Sequence, residues 1–226
     1  EAPPLAAVGE GNAEGNAPAS VWTLAIQRRG EIAEKTLQHL VLTVLGVLIA
    51  IVLGVPLGIF IHRNVAARGP VLAMTEIVQT IPSLAMLAFL FAVYGLLGAV
   101  PAVTALVLYA LLPIVLNTFI GLREVPRQTI QAADGVGMSS VQRLRMVELP
   151  LAAPVLIGGI RAATVLTVGI ATLCTYIGAG GLGDFIARGL ARNDPRLTLL
   201  GAVPAAIMAV VLSLLIRLME KVSRRA

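Results

Sequence analysis

One cysteine, one tryptophan, two lysines and two histidines stand in a chain of 226 residues whose aromatic share is 4% and charged share 13%. Each shortage excludes something. Cys174 has no partner for an internal disulfide and cannot build a cysteine-rich metal site. Neither Lys35 nor Lys221 stands in a GxxxxGK[ST] loop, so the chain holds no cradle for ATP phosphates and cannot be its own motor. His39 and His62 fall at the two ends of the first apolar run without a GxSG element, which removes a serine intramembrane protease and reads as two interfacial histidines. A charged share this low lies far below the quarter or so of a soluble domain. No basic patch is interleaved with aromatics, so the net charge of +5 is no nucleic-acid footprint.

What is present is oil. Hydrophobic residues make up 58% of the chain. Apolar runs long enough to cross a bilayer, roughly 20 residues at helical rise, cover 40–61, 71–98, 101–122, 152–176 and 198–219. They are apolar on every face and lack the alternation of barrel strands, so the fold class is an all-α polytopic membrane protein of about five spans. The second run is overlong and carries Pro82, which predicts a kinked or split helix. Residues 1–20 are small, polar and broken by Gly and Pro, and predict a disordered tail that is no signal peptide as it stands. Residues 21–39 alternate apolar and charged positions at helical spacing and predict an interfacial amphipathic helix leading into a membrane-spanning domain, 40–220, with a basic tail at 221–226.

An odd number of spans puts the termini on opposite sides. One side collects Arg63, Arg68, Arg123, Arg127, Arg143, Arg145, Arg217, Lys221, Arg224 and Arg225; the other has Arg28, Arg29, Lys35, Arg188, Arg192 and Arg196. The positive-inside rule then predicts a cytoplasmic loop at 123–150, a cytoplasmic C-terminus and an external N-terminus. Within that loop, Pro126 can open a helix, Gly137 can turn the chain, Ser139 or Ser140 can cap a second short helix, and Pro150 is expected to end it as the fourth span begins. Ile130, Ala133, Val141, Leu144 and Val147 suit a packing face, while Gln131, Asp134, Arg143 and Arg145 suit a partner.

The segment QAADGVGMSSVQRLRMVELP, with Gln131, Ala132, Ala133, Gly137, Val147, Leu149 and Pro150 in the pattern Q-A-A-x3-G-x9-V-x-L-P, resembles the Glu-Ala-Ala loop of the membrane subunits of ATP-binding-cassette importers. Gln131 stands where the family has glutamate and Val147 where it has isoleucine. Further blocks, GVPLGIFIHR, QTIPSLAML, LYALLPIVLNT, TYIGAGGLGDFI and DPRLTLLGAVPAA, resemble the permeases for quaternary-amine osmoprotectants over about 36–220. The methionine-type permeases share the loop but match the LYALLPIVLNT and TYIGAGGLGD blocks less well. The resemblance implies a type I importer fold in a bacterial or archaeal inner membrane and a permease dimer, homo- or heteromeric. It further implies two ATPase subunits that bind ATP and Mg and dock on this loop, and an external substrate-binding protein. No cofactor is then expected on this chain.

Rivals come from two classes. GLGD at 181–184 is also the signature of intramembrane aspartyl proteases, which need two aspartates facing each other, but Asp134 lies in the cytoplasmic loop and Asp194 in the same outer loop as Asp184. A channel would need no motor-docking hairpin and no filter is visible. Inside the membrane, Glu76 and Arg161 are the two charges set in apolar runs, expected to pair with each other or to snorkel. Gln79, Thr80, Pro82, Ser83, Tyr109 and Asn117 add polarity or freed carbonyls to the second and third spans, as a pathway or as helix-to-helix glue. With so few aromatics, a cage for a quaternary ammonium is expected on the binding protein and a low-affinity path here. Gly178, Gly180, Gly181 and Gly183 read as an outer gate or as a flexible turn.

Overall fold

The computed structural model describes residues 20–223, so the tail at 1–19 and the last three residues of the basic tail lie outside the described residues. Helices follow one another as α1 (Val21–Gln27), α2 (Arg29–Arg63), α3 (Val65–Thr80), α4 (Ser83–Tyr94), α5 (Ala99–Arg123) and α6 (Arg127–Gly135). Then come α7 (Ser140–Arg143), a π turn (Leu144–Glu148), α8 (Leu149–Ala171), a 3-10 turn (Leu173–Ile177), α9 (Gly183–Ala191) and α10 (Pro195–Ser223). Among the described residues, four helical stretches are long and apolar enough to cross a membrane: α2, α5, α7 continued through α8, and α10. The pair α3 and α4, bent by 102° at Pro82, makes a fifth if counted as one broken span. The break expected at Pro82 is thus a turn of more than a right angle.

The predicted boundary at residue 40 is absent, because α2 runs unbroken from Arg29. Only α1 is a separate helix, and Val21, Leu24 and Ala25 pack with Ile32 against Phe185, Leu197 and Leu200, while Trp22 stays exposed. The earlier start of α2 also moves His39 from the expected interface into the interior: it is fully buried, and its Nε2 lies 3.1 Å from the carbonyl of Val168 in α8.

α5 is the central post, with α2 and α8 along its sides and α10 against α8. Small residues every fourth position of α2, Gly46, Ala50, Gly54 and Gly58, let the two backbones close. A Cβ added at Gly46, Gly54 or Gly58 would come within 2.8, 2.9 and 2.6 Å of Leu106, Ile114 and Thr118 respectively. On the other side of α5, a Cβ at Gly159 of α8 would lie 2.4 Å from Asn117 Cβ and 2.6 Å from the Pro113 carbonyl. Without a hydrophobic driving force between helices in lipid, this close van der Waals contact is what holds the bundle.

Candidate functional site

The C-terminal ends of α2, α5 and α10 and the N-terminal ends of α3 and α8 share one face of the bundle, and the hairpin of α6 and α7 projects from it. Pro126 precedes α6 as expected. The helix then stops in a Schellman arrangement: the Gly137 amide donates to the Asp134 carbonyl (3.0 Å) and the Met138 amide to the Ala133 carbonyl (3.1 Å). This closure needs φ of +81° at residue 137, which glycine adopts without a Cβ penalty. Ser139, of the two serines, caps the second helix in a reciprocal box, its amide donating to Gln142 Oε1 at 2.8 Å and its hydroxyl oxygen accepting from the Gln142 amide at 3.4 Å.

Pro150 does not end that helix. The chain passes from α7 through the π turn straight into α8, with the Leu149 amide bonded five residues back to Leu144. Pro150 brings no N–H and its ring crowds the carbonyl four residues earlier; a widened turn at Leu144–Glu148 takes up that mismatch, so helix and span continue as one rod. A force on the hairpin therefore has a continuous helical path into the membrane.

Arg143, expected to be free for a partner, is engaged inside the hairpin. Its Nη1 donates to Asp134 at 2.6 Å and its Nε to Glu148 at 2.7 Å, which ties α6 to the π turn. The Glu148 side chain is only 3% exposed, so this carboxylate depends on Arg143 for compensation. Arg63, at the end of α2, donates to the Ser140 carbonyl at 3.0 Å and fixes the hairpin to a second span. Removing the cation alone, Arg143→Met, should destabilise the protein by about 3 kcal/mol, whereas Arg143→Met with Glu148→Leu should recover at least half of that, as read by thermal unfolding in detergent. Equal loss in both would show that the pair carries no such dependence.

What the hairpin leaves outward is different from the expected set. Gln131, Asp134 and Arg145 are exposed as expected and Ala133 is turned in, Ala132 is exposed as well, but Val141, expected to pack, is 55% exposed, as are Val136 (75%) and Met146 (65%). What remains outward is a small, largely apolar surface with Gln131 and Arg145 at hand. Exposed apolar side chains at the tip are a signal that periodicity alone misassigned, because a four-residue helix is too short to define a face.

The polar residues of the second and third spans form a clamp. Pro113 has no N–H for the Tyr109 carbonyl, and Gln79 Nε2 supplies the missing donor at 2.8 Å. In return the Tyr109 hydroxyl donates to the Ile81 carbonyl at the break. The two proline defects thus satisfy each other's neighbourhood through protein contacts. Asn117 donates to Pro113 of its own helix at 2.7 Å, and Thr80 to Ile77 at 2.7 Å. Thr80 and Pro82 are exposed on this chain, and Ser83 is half-buried.

Glu76 and Arg161 are not a pair. Arg161 Nη1 lies 3.6 Å from Glu220 on α10, and Glu76 is exposed on α3. α8 packs against α10 rather than α3, and the sequence gives no local cue to that non-local choice.

On the opposite face, Gly178, Gly180 and Gly181 hold φ of +74°, +76° and +90° in a tight turn, whereas Gly183 serves close packing. The Gly181 amide donates to Gln38 of α2 at 3.2 Å. Asp184 is bonded by the Lys35 ammonium and the Thr175 hydroxyl, and Arg188 donates to Glu31. An aspartate bound by an ammonium and a hydroxyl is held ionised rather than sharing a proton with a second aspartate, which argues against the protease reading. Burial pushes the Asp184 carboxyl up, but Lys35, Thr175 and Arg188 outweigh it and hold it below the ordinary carboxylate value. A depressed native value stabilises above the unfolded value, near 4, and the gain is lost as pH falls through the native one. Asp184→Asn should therefore lower stability at pH 7 and flatten its dependence on pH below about 4, measured by unfolding across that range. Among the described residues no group of three or more His, Cys, Asp and Glu is placed to hold a metal ion.

Comparison with known proteins gives one family. The chain is 41% identical to the choline transport system permease protein OpuBB of Bacillus subtilis over 85% of this chain and 88% of that one. It is 44% identical to the glycine betaine/carnitine/choline transport system permease protein OpuCD of the same organism over 86% and 85%. To the osmoprotectant import permease protein OsmW of Salmonella typhimurium it is 41% identical over 87% and 94%. Among solved structures, an inward-facing conformation of the MetNI methionine ABC transporter shares the fold with a TM-score of 0.75 at 22% identity, over 85% of this chain and 95% of that one. Residues 36–226 match the family of binding-protein-dependent transport system inner membrane components, and the chain belongs to that family as a multi-pass inner-membrane transport subunit.

Proposed function

We propose that this chain is the permease of an ATP-binding-cassette importer for a quaternary-amine osmoprotectant such as glycine betaine, choline or carnitine. Of the relatives that are 41–44% identical, two carry choline or glycine betaine, carnitine and choline in their names and one is named for osmoprotectant import, while the likeness to a methionine transporter is one of fold. Two such subunits face one another with the route between them, the hairpin face is cytoplasmic, and the N-terminus lies outside. Two ATPase subunits dock on the two hairpins, bind ATP and Mg, and pull the hairpins inward on closure; an external binding protein delivers the solute. Thr80, Pro82 and Ser83 are the pathway residues of this proposal, and the glycine turn at 178–181 is its outer gate.

The observation that supports the coupling role best is the hairpin braced by Arg143 and continuous with α8, presenting Val136, Val141 and Met146 outward. Burying such side chains in a groove of the ATPase would contribute about 1.5 kcal/mol or more each. Val136→Asp with Val141→Asp should therefore cut copurification of the ATPase subunit at least about tenfold without loss of membrane insertion. Recovery of the wild-type amount of ATPase would remove the hairpin as the docking element.

A further inference from the structure

Arg161, Arg217 and Lys221 surround one cavity of about 620 Å³ together with a single carboxylate, Glu220. Arg161 is set twelve residues into α8, roughly 18 Å along its axis from Leu149. Its Cβ leans toward the helix N-terminus, and so toward the hairpin face, where α10 brings Arg217 and Lys221. With one anion against three cations among the described residues that line it, the cavity keeps a positive excess, and one of its cations, Arg161, stands inside an apolar run where charge is costly unless it meets a counter-ion.

The surface beside this cavity is apolar along the same strip of helix. On α10, Val210 and Leu214 each lie two turns before Arg217 and Lys221 respectively, at i−7 spacing, and are 58% and 51% exposed. On α8, Val165 lies one turn beyond Arg161 and is 42% exposed. A basic end and an apolar strip, both open on this chain, have the shape of an amphiphile. A soluble phosphate would leave the strip unused. A second copy laid across this face in two-fold symmetry would bring the same cations together.

We propose that the α8 and α10 face binds one anionic phospholipid of the hairpin-side leaflet. Its phosphate sits among Arg161, Arg217 and Lys221, and an acyl chain runs along Val165, Leu214 and Val210. This goes beyond the transport reading and does not depend on which solute is carried.

The test is native mass spectrometry of the purified full-length chain, titrated with phosphatidylglycerol and with phosphatidylcholine of the same acyl chains. The wild type should prefer phosphatidylglycerol by at least tenfold. Arg161→Gln, Arg217→Gln and Lys221→Gln should each weaken that preference about fivefold, and Glu220→Gln should strengthen it by a similar factor. The opposite sign of the last variant keeps the outcome distinct from a general loss of folding. Four results would overturn the proposal: no preference for the anionic lipid; an unchanged preference in Glu220→Gln; an equal loss in a control with Arg123, Arg127 and Arg145 changed to Gln; or displacement of the lipid by millimolar inorganic phosphate, which would make the site one for free phosphate. A disulfide between copies through Val210→Cys in native membranes would do so too, by putting a second subunit on the face.

Discussion

Valine at position 137 will reduce solute uptake to below about a tenth of the wild-type rate while the partner ATPase goes on hydrolysing ATP. The backbone there is fixed at φ +81° by two bonds that close α6, from the Gly137 and Met138 amides. A β-branched side chain at positive φ costs roughly 2 kcal/mol or more, and the cheaper outcome is to open the turn. Nothing lies within 4 Å of a Cβ added at Gly137, so the penalty is conformational rather than steric against a neighbour. That separates two substitutions. Gly137→Asn, which tolerates the left-handed region, should keep most of the uptake, and Gly137→Val should not. Proteoliposomes holding the assembled transporter allow uptake and hydrolysis to be measured together. Loss of both to the same degree in both variants would mean that the turn matters for assembly rather than for coupling.

Alanine at position 183 will have the largest effect on stability. A Cβ built there would stand 1.9 Å from the Thr172 carbonyl oxygen and 2.8 Å from its carbon, so backbone would have to move. Fully accommodating the methyl group should cost about 3 kcal/mol or more, enough to lose most of the folded protein recovered from the membrane. The control is Gly158→Ala in α8: its new Cβ meets nothing within 4 Å and it removes a poor helix former, so stability should hold or rise by about 0.5–1 kcal/mol. Thermal unfolding in detergent, with yield after purification, reads both. A Gly183→Ala protein that melts like the wild type would show that the 172–183 contact is loose.

The contrast between these glycines marks how far the sequence could be read. Runs of apolar residues at helical length located the spans, and Pro82 located the break between α3 and α4, because both signals are local. Gly137 announced a turn, and the Ser139–Ser140 pair a cap that the structure gives to Ser139, for the same reason. The seam at Gly46, Ala50, Gly54 and Gly58 was missed although a small residue at every fourth position was there to find, and nothing local points to its partner α5. By contrast, the choice of Glu220 over Glu76 by Arg161 depends on α8 lying against α10, and the use of Gln79 for the carbonyl freed by Pro113 depends on α3 lying against α5. Such pairings join residues 30 to 60 positions apart in the chain, where no periodicity carries information. Arg143 is a different case: its two carboxylate partners stand only nine and five residues away, and it is the folding back of the hairpin, not chain separation, that converts it from a surface cation into a brace.

Charged and polar groups on the opposite face follow one design with those on the hairpin face. Asp184 with Lys35, and Arg188 with Glu31, tie α9 to the first turns of α2, as Arg63 ties the end of α2 to the hairpin. The long helix α2 is thereby fixed at both ends, and the glycine seam holds it to α5 between them. A rigid element fastened at both ends can carry a displacement of the hairpin across the membrane, which is what alternating access by rigid-body movement requires.

The most direct test of transport is uptake of radiolabelled glycine betaine by cells that lack their own osmolyte importers and express this chain with its ATPase and binding protein. Saturable, ATP-dependent uptake that choline or carnitine competes for, and that disappears with Gly137→Val, is the predicted result. A membrane-inserted, ATPase-bound complex that takes up methionine or another small solute but none of the three amines would contradict the osmoprotectant assignment and leave the importer fold with a different cargo.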